Sequence, residues 1–238
     1  MIKVIGHRGV PRLEPENTMA SFRKAVALGA DGLELDLRLS RDGGFVVMHD
    51  QTLGRTTSGF GWVHLRNSAH LRSLDAGAWF RGHPSDDRPP FLREILEDLP
   101  SGLLLNLEIK AGVRAMSRWG HRLEEMLDEY GAKERVLVSS FSMRVLRIVR
   151  ELDRSLPIAV LGEGIEPALE LGAAALHPQA KATGAELVAD AHGAGLSLHP
   201  WDANSMEELS RLVDLGVDGI ITDEVAVLRE VIDGRRTR

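Results

Sequence analysis

The chain has 238 residues, 43% of them hydrophobic, which is enough for one large domain with a substantial core. The absence of cysteine excludes disulfides, thiol catalysis and cysteine metal sites, and it fits a reducing compartment. The net charge of −6 gives no electrostatic basis for nucleic-acid binding, and no apolar run approaches the roughly 20 residues that a membrane span needs.

Strand and helix patterns alternate from the start of the chain. Residues 2–6 form a predicted buried strand where a signal peptide would stand, so we expect a cytoplasmic protein. Asn17 is predicted to cap the first helix. The second strand, residues 32–40, leads through the Asp-Gly dipeptide at 42–43, which favours a tight turn, into an antiparallel return strand over residues 45–49.

A long stretch without sustained periodicity, residues 51–90, follows the hairpin and is interpreted as an insertion over the mouth of the fold. Beyond it, strands and helices alternate again. The predicted strands span residues 103–110, 135–141, 157–161, 173–177, 196–201 and 219–222. The predicted helices span residues 91–99, 114–130, 143–152, 167–171, 183–194, 205–215 and 225–232, and a frayed tail is expected at 235–238.

Eight mostly apolar strands that alternate with helices predict a parallel sheet covered on its outer face. With the hairpin return counted in the second connection, the eight units match an α/β fold, the (β/α)8 barrel, which typically needs about 250 residues. An open doubly wound sheet is the alternative, but no glycine-rich nucleotide loop follows the first strand. We therefore predict a single domain over residues 1–238.

Charged side chains are concentrated on the second strand and its return. Glu34 and Asp36 are two residues apart, so they share one face of the strand. Pairing Arg41 with Gly44 across a two-residue turn would place Asp36 roughly opposite His49. A surface hairpin with solvated carboxylates is the alternative interpretation. The residues at the other strand ends shift the balance towards a functional site.

Polar or aromatic side chains recur where the apolar strands stop, and the active sites of such barrels form at the C-terminal strand ends. A buried carboxylate or lysine is costly unless it is paired, so several at one mouth indicate a shared site. These residues are His7 and Arg8 on the first strand, Glu34 and Asp36 on the second, Glu108 and Lys110 on the third, Phe141 on the fourth and Trp201 on the seventh.

The three carboxylates Glu34, Asp36 and Glu108 offer an oxygen-rich set of ligands, which hard cations such as Mg²⁺ or Ca²⁺ prefer. The alternative is a set of ion pairs with Arg8 and Lys110. Zinc is a weaker candidate because no histidine pair has the spacing of a helical or finger site. We therefore predict a divalent cation site.

The remaining polar groups complete a chemical hypothesis. His7 and His49 suit general acid and base roles because the pKa of an imidazole lies near neutrality. Arg8 and Lys110 place positive charge beside the cation, which suits an anion and phosphate best. Together these groups predict cleavage of a phosphate ester.

Two aromatic residues and two further histidines also lie near strand ends. Phe141 and Trp201 are interpreted as a wall for an apolar part of the substrate, with packing in the core as the alternative. His177 and His199 are candidates for the mouth, but a packing role is favoured for both. The other histidines outside the hairpin and the first strand are treated as surface or packing residues.

The ordered motifs of the chain resemble those of bacterial glycerophosphodiester phosphodiesterases, and they span nearly the whole sequence. The matching motifs are His7-Arg8-Gly9, Pro15-Glu16-Asn17-Thr18, Glu34-Leu35-Asp36, Asp42-Gly43 to His49-Asp50, Glu108-Ile109-Lys110, Ser139-Ser140-Phe141, Trp201, and the segment from Gly216 to Asp223. The resemblance implies a TIM barrel of the phospholipase C-like phosphodiesterase type, with a small insertion after the second strand that matches about residues 51–90.

The resemblance also implies roles and a reaction. Glu16 matches a family position near the site and is expected to orient Arg8 or His7. A glycerophosphodiester would be split into sn-glycerol 3-phosphate and an alcohol, with water or the substrate's own 2-hydroxyl as nucleophile. The implied residues are His7 and His49 for acid–base catalysis, Glu34, Asp36 and Glu108 for the divalent cation, and Arg8 and Lys110 for the phosphate.

Other readings stay open beside this one. A lysophospholipase D-like enzyme acting on lysophospholipids would share the centre, and a non-catalytic phosphate-ester binding module is a third reading. Residues 202–204 read Asp-Ala-Asn where the family usually has Thr-Val-Asn, so specificity for the alcohol is open. The usual proline is absent at 224–225, which is interpreted as a detail of the helix start. The expected partner is a small-molecule glycerophosphodiester, without stable membrane insertion, and a homodimer is one open oligomeric state.

Overall fold

The computed structural model describes residues 1–110 and 116–236. The strands are β1 (Lys3–His7), β2 (Gly32–Leu39), β3 (Phe45–Val47), β4 (Leu104–Ile109), β5 (Val136–Ser140), β6 (Ile158–Leu161), β7 (Ala175–His177), β8 (Ser197–Leu198) and β9 (Gly219–Thr222). The helices are α1 (Met19–Ala27), α2 (Ser68–Arg72), α3 (Ala78–Arg81), α4 (Leu92–Asp98), α5 (Met116–Glu129), α6 (Met143–Leu152), α7 (Glu166–Glu170), α8 (Ala185–Gly193), α9 (Met206–Leu215) and α10 (Val225–Arg236).

The sheet is parallel apart from β3, and its strand order is β8-β7-β6-β5-β4-β2-β1-β9. Its two ends meet through backbone hydrogen bonds, because Asp218 N donates to Leu198 O at 3.1 Å and Ile221 N donates to Pro200 O at 2.9 Å. These bonds join the edges of β8 and β9. The prediction of an eight-stranded (β/α)8 barrel is confirmed, and the open doubly wound sheet is excluded.

Alternation along the strands separates the core from the barrel interior. On β2, Leu33 and Leu35 belong to the large apolar core, whereas Glu34 and Asp36 point the other way. Inside the barrel a small apolar cluster fills the N-terminal end. Its members are Leu137, Ala159 and Ala175, with Leu104 packed against them. The residues two positions further along those strands therefore lie above this layer, towards the C-terminal mouth.

The hairpin register differs from the prediction by one residue. Asp36 O accepts a hydrogen bond from Met48 N at 2.8 Å, so Met48 rather than His49 stands opposite Asp36. The loop spans three residues, 41–43, because Gly43 adopts a φ of 82°, the left-handed position typical of three-residue hairpins. His49 consequently lies just beyond β3 instead of on it.

The prediction that Asn17 caps the first helix is wrong. Thr18 is the cap of α1, and its side chain accepts a hydrogen bond from Ser21 N at 3.3 Å. Asn17 instead adopts a φ of 56°, a left-handed conformation that asparagine tolerates better than most residues. Its side-chain amide donates to Asp36 Oδ2 at 2.7 Å. The residue therefore serves the carboxylate cluster and not the helix end.

The segment 51–90 carries more local structure than its sequence pattern indicates. It contains the short helices α2 and α3. Its apolar side chains pack with the hairpin in a cluster that is separate from the main core. The members of that cluster are Val46, Met48, Leu53, Val63, Leu71, Leu74 and Phe91. The segment is thus packed against β3 through its own small core.

The remaining boundaries differ by only a few residues. Strand β8 is shorter than predicted, with two residues. Helix α10 continues through Arg236, and Arg235 Nε pairs with Asp214 Oδ1 at 2.8 Å. The prediction of a frayed tail is therefore wrong for residues 235–236, whereas 237–238 lie outside the described residues. The predicted start of the fifth helix at residue 114 also lies outside them. No helix in the described ranges is long and apolar enough to cross a membrane.

Two histidines fill part of the barrel interior, in agreement with the favoured packing role. His177 lies two residues after Ala175, and both His177 and His199 are buried. His177 Nε2 and His199 Nδ1 are 3.1 Å apart. Burial lowers the pKa of His199 to about 4, and burial together with the neighbouring His199 lowers the pKa of His177 well below its usual value. Both rings are therefore neutral in the folded protein at neutral pH.

Because these two histidines are buried and neutral, we expect the fold to lose stability in acid. An unfolded histidine titrates near pH 6.5, so the unfolded chain binds more protons than the folded one between about pH 6.5 and 4. The stability that the neutral rings contribute is complete above that window and is lost as the pH falls through it, by about 3 kcal/mol for His199 alone. Urea unfolding at pH 7 and pH 4.5 should show that the free energy of unfolding decreases less for His199→Gln than for the original chain. An equal decrease in the free energy of unfolding for the two proteins would contradict the low pKa of His199.

Candidate active site

Side chains from six strands, and others just beyond strand ends, meet at the C-terminal mouth of the barrel around a cavity of about 140 Å³. Of the ten residues that the sequence predicts for the site, eight line this cavity, and Asp36 and Glu16 stand behind them in contact with Arg8. The eight are His7, Arg8, Glu34, His49, Glu108, Lys110, Phe141 and Trp201. The structure therefore brings all ten residues together, which a surface hairpin with solvated carboxylates would not do.

Three buried carboxylates form the centre of the site. Glu34 and Asp36 project from the inward face of β2, and Glu108 lies beside Asp36 because the two are paired in the register of β2 and β4. Each residue offers an oxygen, and the three oxygens lie within 4.8 Å of one another. Like charges at this separation repel strongly away from water, so the cluster requires compensating positive charge.

Two cations provide part of that compensation. Lys110 Nζ lies 2.7 Å from Asp36 Oδ1 and donates a hydrogen bond to Glu108 Oε1 at 2.5 Å. Arg8 Nε lies 3.2 Å from Asp36 Oδ2. Burial alone would raise the pKa of Asp36, but Lys110 and Arg8 hold that pKa well below its usual range. Asp36 is therefore ionised, and the ion pairs are part of the site.

Glu34 lacks such compensation. Burial, together with repulsion from Asp36, raises the pKa of Glu34 to about 8. Its Oε2 accepts a hydrogen bond from Arg8 N at 3.1 Å, but its buried Oε1 has no hydrogen-bond partner within residues 1–110 and 116–236. Burial and Asp36 also raise the pKa of Glu108. A carboxylate cluster with an unpartnered oxygen fits a divalent cation, which would supply both the charge and the missing partner.

The backbone at Arg8 is adapted to this arrangement. Arg8 has a φ of 54°, which is uncommon for a residue other than glycine. In this conformation its N–H points at Glu34, donating to the main-chain oxygen at 3.0 Å as well as to the side chain. Gly9 follows with a φ of 91°, and a Cβ there would lie 2.2 Å from Ser21 Oγ. The His-Arg-Gly motif is therefore fixed by both conformation and space.

His7 is oriented by a carboxylate from the far end of the chain. His7 Nδ1 lies 2.8 Å from Asp223 Oδ1, and His7 Nε2 lies 4.0 Å from Glu34 Oε2. Burial opposes protonation of the ring, but Asp223 and Glu34 outweigh it and raise the pKa of His7. Asn204 holds Asp223 in turn, accepting from its backbone N at 2.8 Å and donating to Oδ2 at 3.1 Å. The sequence reasoning missed Asp223 and Asn204, although Asp223 directly follows the last strand.

His49 has a similar partner beside it in the sequence. His49 Nδ1 lies 2.7 Å from Asp50 Oδ1, and the backbone oxygen of His49 accepts a hydrogen bond from Arg38 Nε at 2.8 Å. Burial lowers the pKa of His49, although Asp36 and Asp50 oppose that shift. In each histidine the Nδ1 side is therefore bonded to an aspartate, which leaves Nε2 as the nitrogen available to the cavity.

Arg55, from the segment 51–90, connects the two sides of the site. Its guanidinium bonds Asp50 Oδ2 through Nε at 2.7 Å and Glu16 Oε2 through Nη1 at 2.8 Å. Glu16 Oε1 in turn accepts from Arg8 Nη1 at 3.0 Å. Glu16 thus contacts Arg8 rather than His7, and a continuous chain of ion pairs runs from Arg8 to His49. No spacing in the sequence indicated Arg55.

The two aromatic residues form one side of the mouth. The rings of Phe141 and Trp201 meet edge to face, with centroids 5.6 Å apart. Phe141 is 58% exposed, which argues against a packing role. Trp201 is fixed by the hydrogen bond that its Nε1 donates to His177 O at 3.0 Å. The pair provides an apolar wall at the entrance.

The chain is similar to known proteins over almost its entire length. The model of the glycerophosphoryl diester phosphodiesterase family matches residues 7–227. A glycerophosphodiester phosphodiesterase of Caldanaerobacter subterraneus subsp. tengcongensis is 39% identical over 235 residues, which cover 96% of this chain and 97% of that protein. One from Bacillus altitudinis is 34% identical over 232 residues, covering 94% of this chain and 95% of that protein.

Solved structures agree with these relatives. A phosphodiesterase of Oleispira antarctica, in complex with the product sn-glycerol-3-phosphate, has a TM-score of 0.90 and 29% identity, covering 97% of this chain and 96% of that one. A glycerophosphodiester phosphodiesterase of Agrobacterium tumefaciens has a TM-score of 0.86 and 25% identity, covering 97% and 100%. The resemblance inferred from the motifs is thereby confirmed. The chain belongs to the glycerophosphoryl diester phosphodiesterase family and is a phosphodiester hydrolase.

Proposed function

We propose that this hydrolase splits glycerophosphodiesters into sn-glycerol 3-phosphate and an alcohol by cation-dependent acid–base catalysis. The observation that carries the proposal is a single cavity lined by two carboxylates, two cationic side chains and two imidazoles, with the third carboxylate of the cluster, Asp36, directly behind it. The Oleispira relative, which binds sn-glycerol-3-phosphate as product, supports the substrate class. We treat residues 1–238 as one catalytic domain, in which the segment 51–90 covers the mouth and supplies Arg55.

Glu34, Asp36 and Glu108 would hold the divalent cation, Mg²⁺ or Ca²⁺. When bound, such an ion acts as a Lewis acid on a phosphate oxygen and stabilises the charge that develops in the transition state. The carboxylates contribute beyond ligation, because Asp36 also fixes Lys110 and Arg8 at distances of 2.7 and 3.2 Å. These cations are thus positioned to bind the phosphate, with the guanidinium able to contact two oxygens.

His7 and His49 would move the protons. Asp223 and Asp50 fix the Nδ1 atoms, so each imidazole presents Nε2 to the substrate. One ring would take the proton of the nucleophile, either water or the 2-hydroxyl of the glycerol, and the other would donate a proton to the leaving alcohol. An aspartate on each ring stabilises the imidazolium form that arises during these transfers.

The competing function, lysophospholipase D-like hydrolysis, is tested by comparing two substrates that both release choline. The enclosed cavity of about 140 Å³ is small, which favours a glycerol phosphate group over a bulkier substrate part inside it. We therefore expect kcat/KM for choline release to be at least about tenfold higher with glycerophosphocholine than with lysophosphatidylcholine. Faster release from the lysophospholipid would favour the alternative. No release from either substrate would contradict the proposed substrate class.

A further inference from the structure

Two polar side chains at the bottom of the cavity have no role in the chemistry described so far. Asn106 and Ser139 both line the cavity, and their exposed fractions are 1% and 0%. Asn106 Nδ2, Asn106 Oδ1 and Ser139 Oγ find no hydrogen-bond partner anywhere in the described part of the chain. Buried polar groups in folded proteins are nearly always paired, so three unpaired atoms in one place require an explanation.

Strand register places the two residues beside carboxylates of the site, on neighbouring strands. Asn106 pairs with Glu34 in the register of β2 and β4, and Ser139 pairs with Glu108 in the register of β4 and β5. Each stands two residues after a member of the apolar layer, Leu104 or Leu137. Asn106 and Ser139 thus form a polar floor directly above the apolar layer and level with Glu34 and Glu108.

The hydrogen-bond donors and acceptors of this floor indicate which ligand group it can bind. The Asn106 amide offers donors and an acceptor, and the Ser139 hydroxyl can do both. A phosphate is already matched by Arg8 and Lys110 and would be repelled by Asn106 Oδ1, and a cation would gain little from the amide donors. An alcohol hydroxyl both donates and accepts, so it satisfies an amide and a neighbouring hydroxyl together. The floor therefore suits a free hydroxyl of a polyol.

We propose that Asn106 and Ser139 bind a free glycerol hydroxyl of the substrate and make the enzyme selective for diesters that carry one. The inference rests on the proposed function and deepens it, because it names the side chains that recognise the glycerol. A site built to hydrogen-bond a hydroxyl strongly disfavours analogues without it, since its polar groups then stay buried and unpaired.

The test compares two substrates in the presence of Mg²⁺ or Ca²⁺. Glycerophosphocholine carries free hydroxyls, and bis(p-nitrophenyl) phosphate carries none. Asn106→Leu and Ser139→Ala should each lower the ratio of their kcat/KM values, glycerophosphocholine over the nitrophenyl diester, by about 10- to 100-fold. Ser140→Ala is the matched control, because Ser140 Oγ is paired with Ile109 O at 2.7 Å and should leave the ratio as in the original chain. An equal loss on both substrates, or no loss on either, would overturn the proposal.

Thermal unfolding without substrate gives a second readout that does not depend on turnover. Since the polar atoms of Asn106 and Ser139 are unpaired in the free protein, Asn106→Leu and Ser139→Ala should raise Tm by about 2–4 °C. Ser140→Ala should lower Tm, because it leaves Ile109 O unpaired. If a structural water occupied the floor instead, both floor variants would lower Tm.

Ligand-induced stabilisation separates failure of this inference from failure of the proposed function. With the divalent cation present, sn-glycerol 3-phosphate should raise Tm more than inorganic phosphate does, and Asn106→Leu should abolish the difference. That result would support the floor even if the chain hydrolysed neither diester. Equal stabilisation by the two ligands would refute the floor even in an active enzyme.

Discussion

His49→Asn should lower kcat for glycerophosphocholine by about 10²- to 10⁴-fold, the usual contribution of a positioned acid or base. The substitution removes the titrating ring while keeping a polar side chain of similar size. His49 has a side-chain exposure of 35%, so the fold should not depend on it. The measurement is steady-state release of sn-glycerol 3-phosphate, with Tm recorded for each variant.

A histidine outside the site provides the control for this variant. His83 is exposed and contacts only Pro84 O among the interactions described for it, so His83→Asn should retain the original kcat. The kcat of Arg55→Gln should lie between those of His49→Asn and His83→Asn, about tenfold below the original value. The substitution releases Asp50 and Glu16 without removing a reacting group. Full activity of His49→Asn would end the acid–base proposal.

Removing the divalent cation should be at least as damaging. Exhaustive EDTA treatment should lower kcat/KM by about 10²- to 10⁴-fold, since a Lewis acid stabilises the transition state by several kcal/mol. Adding back Mg²⁺ or Ca²⁺ should restore activity, and the comparison identifies the preferred ion. Activity that survives exhaustive chelation would contradict a cation-dependent reaction.

Cation binding at the carboxylate cluster can also be tested without measuring turnover, by comparing Tm with and without the cation. Cation binding should raise Tm, because it relieves the repulsion between Glu34, Asp36 and Glu108. In Glu34→Gln that rise should shrink, and the cation concentration needed for half-maximal activity should increase. Asp42→Asn is a suitable control, since Asp42 is an acidic residue of the hairpin turn that bonds Ser40 and Ser68 away from the cavity. An equal rise in both variants would place the cation elsewhere.

Local sequence pattern was sufficient for the architecture and for the inward-facing residues. Spacing by two on a strand identified Glu34 with Asp36 and Glu108 with Lys110, and the rule for strand ends added His7. The hairpin register failed by one residue, because the sequence does not distinguish a two-residue Asp-Gly turn from a three-residue loop with Gly43 in the left-handed region. Asn17 was misassigned since the residues that cap helices also bind carboxylates through their amide.

The partners that orient the site were harder to anticipate, because they lie far apart in the chain. His7 and Asp223 are separated by 216 residues, and Arg55 lies 39 residues from Glu16. Such pairs come together only in the folded barrel, and no periodicity in the sequence around these residues indicates the contact. The unpaired atoms of Asn106 and Ser139 are likewise invisible in a sequence, since both residues resemble ordinary strand positions.

The pairing of His7 with Asp223 joins residues from the two ends of the chain, which are synthesised far apart in time. The imidazole emerges early, on β1, but the carboxylate that holds it emerges only after β9. A ribosome-bound intermediate that lacks only β9 would already contain the carboxylate cluster and the two cations proposed to bind phosphate. It would still lack Asp223, so His7 would not be oriented until the last strand docks, and the proposed mechanism then requires the complete barrel for full turnover.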